Sequence, residues 1–233
     1  MYTIKCSKLK NTTLACLLAL SAGLWQACSG SSSAEGELPI LGEREVVQQE
    51  VDGQLVTDTV YHQVPDFAFI NQDSQVVTSL TLQDKVYVTD FFFTTCPTIC
   101  PKMKSQMLRV YEAFKDEPQL MLLSHTIDPK HDTVAVLRDY ADRLQVSSDK
   151  WHFVTGEKDS IYSIASQYMV SAMEDEAEPG GFVHSGAFVL VDQNRHVRGI
   201  YDGTDPAQVD KLISDIPALL AKKKKKQKDA DKK

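Results

Sequence analysis

The sequence predicts an α/β fold in which a central mixed sheet is flanked by helices, with an N-terminal β-hairpin extension ahead of it. Three observations point there. Strand-like and helix-like periods alternate between Val86 and Leu144, the pattern that builds parallel βαβ units. Two apolar stretches, Ala187–Asp192 and His196–Tyr201, close on a Gln193-Asn194 turn and read as an antiparallel pair added late to that sheet. An apolar fraction of 42% and a charged fraction of 24% exclude a disordered chain and a multi-span membrane protein. The length of 233 residues leaves room for one domain of about 150 to 200 residues plus tails.

From the N-terminus, Lys5, Lys8 and Lys10 precede an apolar stretch, Leu14 to Trp25, that is short for a bilayer span. Residues 1–27 therefore read as a signal peptide. Cys28 follows Ala27 and opens the Ser/Gly-rich run Ser29 to Ser33. That arrangement resembles a bacterial lipoprotein signal, in which the Cys is lipidated and becomes the mature N-terminus. An uncleaved anchor, or cleavage without lipid, are the alternatives. Residues 28–44 then form a tether, and 45–220 the folded domain.

Within that domain, Glu45 to Tyr61 alternates about Asp52-Gly53 as a hairpin, and Pro65 to Leu80 suggests a second one turning near Asn71 to Ser74. Val86 to Phe93 is an apolar strand candidate. Pro101 to Phe114 is a helix, since Met103, Met107, Val110, Tyr111 and Phe114 recur at helical spacing. Leu120 to Ile127 is the next strand, and Asp132 to Leu144 the next helix, with Val134, Leu137, Ala141 and Leu144 on one face. Trp151 to Val154 is a short strand, after which Ile161, Ile164, Ala165 and Tyr168 mark a third helix. Beyond the late strand pair, Asp205 as N-cap and Pro206 as first helical residue open a last helix through Val209, Leu212, Ile213 and Ile216. A thioredoxin-like arrangement fits this order best, and no internal repeat is visible.

Charge is unevenly spread. Eight Lys and two Asp fall in 222–233 and three Lys in 1–27, leaving 14 of the 25 basic and 30 of the 32 acidic residues in 28–221, a net of −16. Such a body disfavours nucleic acid and suits a cation or a basic partner. Residues 221–233 read as a Lys-rich disordered tail, with contact to anionic lipid head groups as the second reading.

Of five cysteines, Cys6 and Cys16 depart with the signal and Cys28 is taken by lipid, so Cys96 and Cys100 carry all remaining thiol chemistry. A structural disulfide is the default for such a pair in an exported protein. A loop this short, however, removes little chain entropy. The two thiols sit where a strand passes into a helix start, at the sheet edge where open α/β sheets place ligands. Backbone N–H groups and the helix dipole favour thiolate there, and Pro101 fits the first helical turn without losing a needed N–H. Their i, i+4 spacing permits either a bridge or chelation of a soft metal. Thiolates with an imidazole suit Cu(I) and Cu(II), and too few cysteines remain for a closed zinc site. Of six histidines, His184 stands out. It follows Pro179-Gly180-Gly181 and directly precedes the Ser185 to Asp192 strand, whose start faces the cysteine-bearing helix in a thioredoxin-like arrangement. An exposed loop position is expected for it. His125, near a strand end, is the second candidate, while His62, His131, His152 and His196 read as surface or hydrogen-bonded groups.

Cys96-Pro97-Thr98-Ile99-Cys100-Pro101, then Ile127-Asp128-Pro129 with Asp132-Thr133, Val154-Thr155-Gly156, Val183-His184-Ser185 and Tyr201-Asp202-Gly203 together resemble the Sco/SenC family. The resemblance covers roughly residues 60–220. It implies a thioredoxin-like copper protein that helps assemble the dinuclear copper site of cytochrome c oxidase, by delivering copper, by reducing that site's cysteines, or both. It further implies one copper ion per chain, held by Cys96 and Cys100 as thiolates and His184 as imidazole, and exchange with the copper-bearing oxidase subunit and a copper donor or thiol reductant. Asp128 and Asp132 match the family pattern, and a turn and helix-cap role suffices for them. A thiol-disulfide oxidoreductase is the alternative, although no Pro lies between Gly180 and Asp192 to stand opposite the cysteines. A peroxiredoxin-like thiol peroxidase is the third reading.

Overall fold

The computed structural model describes residues 37–51, 54–178 and 180–230. The signal peptide, Cys28 and most of the tether lie outside the described residues. Glu37–Lys233 forms one compact unit by its own contacts, and every core residue lies within it. No helix among the described residues is long and apolar enough to cross a membrane.

Strands β1 (Arg44–Val51) and β2 (Gln54–Tyr61) make the expected N-terminal hairpin as a separate two-stranded sheet. The central sheet is built from β3 (Ala68–Asn71), β4 (Val76–Thr78), β5 (Val86–Phe92), β6 (Leu120–Thr126), β7 (Trp151–Thr155), β10 (Ala187–Val191) and β11 (Val197–Asp202), in the order β11-β10-β5-β6-β7-β3-β4. Strands β5, β6 and β7 run parallel, and every other pairing is antiparallel. The sheet is therefore mixed, as the sequence predicts. β5 and β6 are buried along their whole length, which explains why their apolar residues do not alternate with exposed polar ones.

Helices cover both faces. On one, α1 (Cys100–Phe114) and α2 (Val134–Leu144) pack over Phe92, Trp151 and Phe153, and α4 (Pro206–Ala230) lies beside α1, joined to it by the Arg109–Asp210 ion pair. On the other, α3 (Lys158–Gln167) and Tyr168 pack against Tyr87, Phe91 and His125. Helix α2 starts two residues later than the apolar pattern implies. Thr133 is its N-cap, its side chain accepting from Val136 N–H at 3.5 Å, and Asp132 is left outside with a different task.

Two further differences concern the C-terminal third. The segment before β10 contains a small hairpin, β8 (Ala172–Glu174) paired with β9 (Phe182–His184), that the sequence pattern does not reveal. The backbone of α4 also continues to Ala230, into the Lys-rich stretch that composition assigns to a disordered tail.

Candidate metal centre

Strand β5 ends at Phe92, and the chain turns over Thr94 and Thr95, with Cys96 N–H donating to Phe93 O at 3.3 Å. Ile99 then caps α1 without any side-chain hydrogen bond, and Pro101 occupies its first turn. The free N–H groups of that turn face the thiols, so the local field favours thiolate. Both cysteines are unbridged and buried.

The cysteine loop is tied down from beneath. Asp132, fully buried, accepts from Thr94 N–H at 3.0 Å, from the Thr94 hydroxyl, from the Thr126 hydroxyl at 2.6 Å and from His131 Nδ1 at 3.0 Å. One carboxylate thus joins the loop after β5 to the end of β6. Sequence reading gave Asp132 a capping role; the signal that could have corrected it is the adjacent Thr133, a sufficient cap by itself.

His184 is the last residue of β9 and is 8% exposed, not the exposed loop group expected. The Phe93 ring lies edge-on to it at 5.9 Å between centroids, and Phe182 packs in turn on Phe93. Its Nδ1–H donates to Ser185 O at 3.2 Å. In that tautomer Nε2 carries the lone pair and lies 3.2 Å from Cys100 Sγ. One atom from each of Cys96, Cys100 and His184 lies within 4.8 Å of the others, forming the one such cluster of His, Cys, Asp and Glu among the described residues. His125, the second candidate, is elsewhere. It is stacked on Phe91 at 4.9 Å, edge-on to Phe67 and Phe69, with both ring nitrogens buried and without a hydrogen bond.

The two thiols are not equivalent. Burial opposes ionisation of Cys96, but hydrogen bonds from the Cys100 thiol and N–H, and from the Thr98 N–H and hydroxyl, outweigh it and hold the thiol below its ordinary value. For Cys100 burial dominates and pushes the thiol well up. Burial likewise lowers His184, against the opposing bond to Ser185 O, so the ring is neutral and a competent donor. A soft dithiol with one neutral imidazole, its second nitrogen anchored by a backbone carbonyl, fits a thiophilic ion such as copper. On one flank an apolar cleft of about 310 Å³ between α1 and α2 reaches both cysteines, bordered by Leu108, Tyr140 and Leu144. On the other, a cleft of about 420 Å³ runs from Ile99 to Ser185 and Tyr201.

Comparison with known proteins gives a consistent result. The family model SCO1/SenC matches residues 57–221. The SCO1 protein homolog of Bacillus subtilis is 31% identical over 166 residues, covering 70% of this chain and 86% of that one. A SCO1/SenC family lipoprotein of Bacillus anthracis has a solved structure with a TM-score of 0.63 and 27% identity, covering 68% and 95% of the two chains. BsSco, described as a member of the Sco family of cytochrome c oxidase assembly proteins with a disulfide switch, gives a TM-score of 0.60 and 30% identity, covering 68% and 93%.

Proposed function

The chain belongs to the SCO1/SenC family of copper-binding proteins tied to cytochrome c oxidase assembly, and from that premise we propose that it is a copper chaperone of the bacterial envelope. In this reading it holds one copper ion through Cys96, Cys100 and His184. It passes that ion to the dinuclear copper site of the oxidase, or reduces the cysteines of that site first. A signal peptide and lipidated Cys28 anchor it, with the folded domain on the periplasmic side and the likeness to a lipoprotein of the same family in support.

The observation that carries the proposal is the convergence of two thiols and one imidazole within 4.8 Å. Copper delivery and thiol reduction use the same atoms. In the reductive step the Cys96 thiolate attacks a partner disulfide, forming a mixed disulfide and releasing one partner thiolate, which takes a proton. Cys100 then loses its proton and attacks Cys96 Sγ, releasing the second partner thiol and leaving a Cys96–Cys100 disulfide. Two electrons pass from this protein to its partner. Cys96, with the lower thiol pKa, suits attack, and Cys100, more deeply buried, suits resolution. The oxidised pair no longer binds copper, so each role excludes the other in a given molecule.

Anaerobic Cu(I) titration of the reduced protein, read beside a free-thiol count, tests this. One ion bound with both thiols protected is the expected result; absence of binding together with peroxide-consuming turnover overturns it. His184→Ala is expected to keep the Cys96–Cys100 disulfide and to lose the thiolate-to-Cu(II) charge-transfer band, because Cu(II) needs the imidazole more than Cu(I) does.

A further inference from the structure

We propose that the Lys-rich end of α4 docks on an anionic lipid bilayer, and that it holds the body with its Cys-Cys-His pole turned away from the membrane. The placement of three segments carries this. Helix α4 begins beside the metal centre, since Gly203 N–H donates to Gly186 O at 2.7 Å, two residues past His184. It then crosses the sheet to the opposite pole, where Gln193 donates to Leu219 O at 3.2 Å. That Gln193-Asn194 turn joins β10 to β11, and Val191 pairs with Tyr87 at the start of β5, whereas the cysteines follow the end of β5. Six strand steps, about 20 Å, separate the poles.

The N-terminal lead meets the body at this same far pole. Leu41 N–H donates to Val197 O at 2.8 Å, Arg198 donates to Pro39 O at 2.9 Å and to Leu38 O, and Gln63, just past the hairpin, donates to Asn194 O at 2.7 Å. The described chain therefore enters the body at the pole toward which α4 runs. Six lysines fall in residues 222–230, a further ~14 Å of helix at 1.5 Å per residue. That exceeds the ~8 Å Debye length at physiological salt, which separates the cationic run from the acidic body, net −16 over 28–221. A run of lysines at the end of a helix is matched by a surface of anionic head groups. The metal identity at the other pole does not enter the argument.

The test uses the compact unit 37–233, without the N-terminal apolar stretch, and vesicles of phosphatidylglycerol with phosphatidylcholine or of phosphatidylcholine alone. Sedimentation at low salt is expected to show binding to the anionic vesicles only. Replacing Lys222, Lys223, Lys224, Lys225, Lys226 and Lys228 with Gln should lower partition more than tenfold, as should 0.5 M salt, while Cu(I) stoichiometry is unchanged. Maleimide should alkylate Cys96 and Cys100 on bound protein at the rate seen in solution. No binding by the unaltered protein, equal partition of the Gln variant, or equal binding to neutral vesicles overturns the docking; slowed alkylation on vesicles overturns the orientation.

Discussion

Lys104 carries a full charge into the interior one helical turn past Cys100. Its ammonium, 3% exposed, donates to Asp90 at 2.6 Å and to the Ser124 hydroxyl at 3.1 Å, and lies 4.1 Å from the centroid of the Phe92 ring. Ser124 in turn donates to Asp90 and accepts from Trp151 Nε1 at 2.9 Å, so the network is closed. Removing one partner leaves the other charge buried alone, and Lys104→Met should cost about 3–5 kcal/mol in denaturant unfolding. The double change Asp90→Asn with Lys104→Met should cost much less. His125 makes the complementary case, a buried base with no partner, held down to about 3 by burial alone. Between that value and the ordinary 6.5 the unfolded chain binds the proton and the folded chain does not, so acid favours unfolding. At pH 4.5 the loss from this residue relative to pH 7 is about 2–3 kcal/mol at 1.36 kcal/mol per unit. His125→Phe should flatten that part of the pH profile, measured as urea midpoints.

The β8–β9 hairpin is the element on which the imidazole depends. Gly180 in its loop has φ +92°, and a Cβ there would lie 2.8 Å from the Phe93 ring. Gly180→Ala is therefore strained in backbone and in space, at about 1–3 kcal/mol. Because Phe93 also backs His184, copper affinity should fall by tenfold or more, while Cys96 and Cys100 still form their disulfide. Competition with a Cu(I) chelator measures it. This hairpin was also the least legible part of the sequence. Its strands have three residues each, too short to set a period, and Pro179-Gly180-Gly181 marks a turn without marking the strands beside it; Phe182 packing on Phe93 holds the hairpin in place. Strands β5 and β6 were legible because seven consecutive buried positions each left a mostly apolar stretch, Val86–Val88 with Phe91–Phe92 and Leu120–Leu123. The cysteine site was legible from the strand-to-helix junction, and His184 from its place before β10. Its burial was not, since that comes from Phe93, on a segment distant in sequence. Lys104 on an amphipathic helix reads as solvated, although Asp90 inside the apolar run Val86 to Phe93 was a sign that a buried cation would meet it.

At the scale of the whole molecule, metal and fold are linked. A ligand that binds only the folded state stabilises it by mass action, about 2.7 kcal/mol when free ligand exceeds its dissociation constant a hundredfold. The thermal midpoint of the reduced protein should therefore rise with buffered Cu(I), and that rise should vanish in Cys96→Ala; a rise of equal size in the variant would place the ion elsewhere. The donor set also has a consequence in time. Cys96 and Cys100 are neighbours along the chain, but His184 stands 84 residues from Cys100, and β10 must pair with β5 before it is brought close. Closure of so long a loop is slow compared with local helix formation, so the three-donor grip appears only once the strands have paired, and an unfolded chain offers copper a bare dithiol alone.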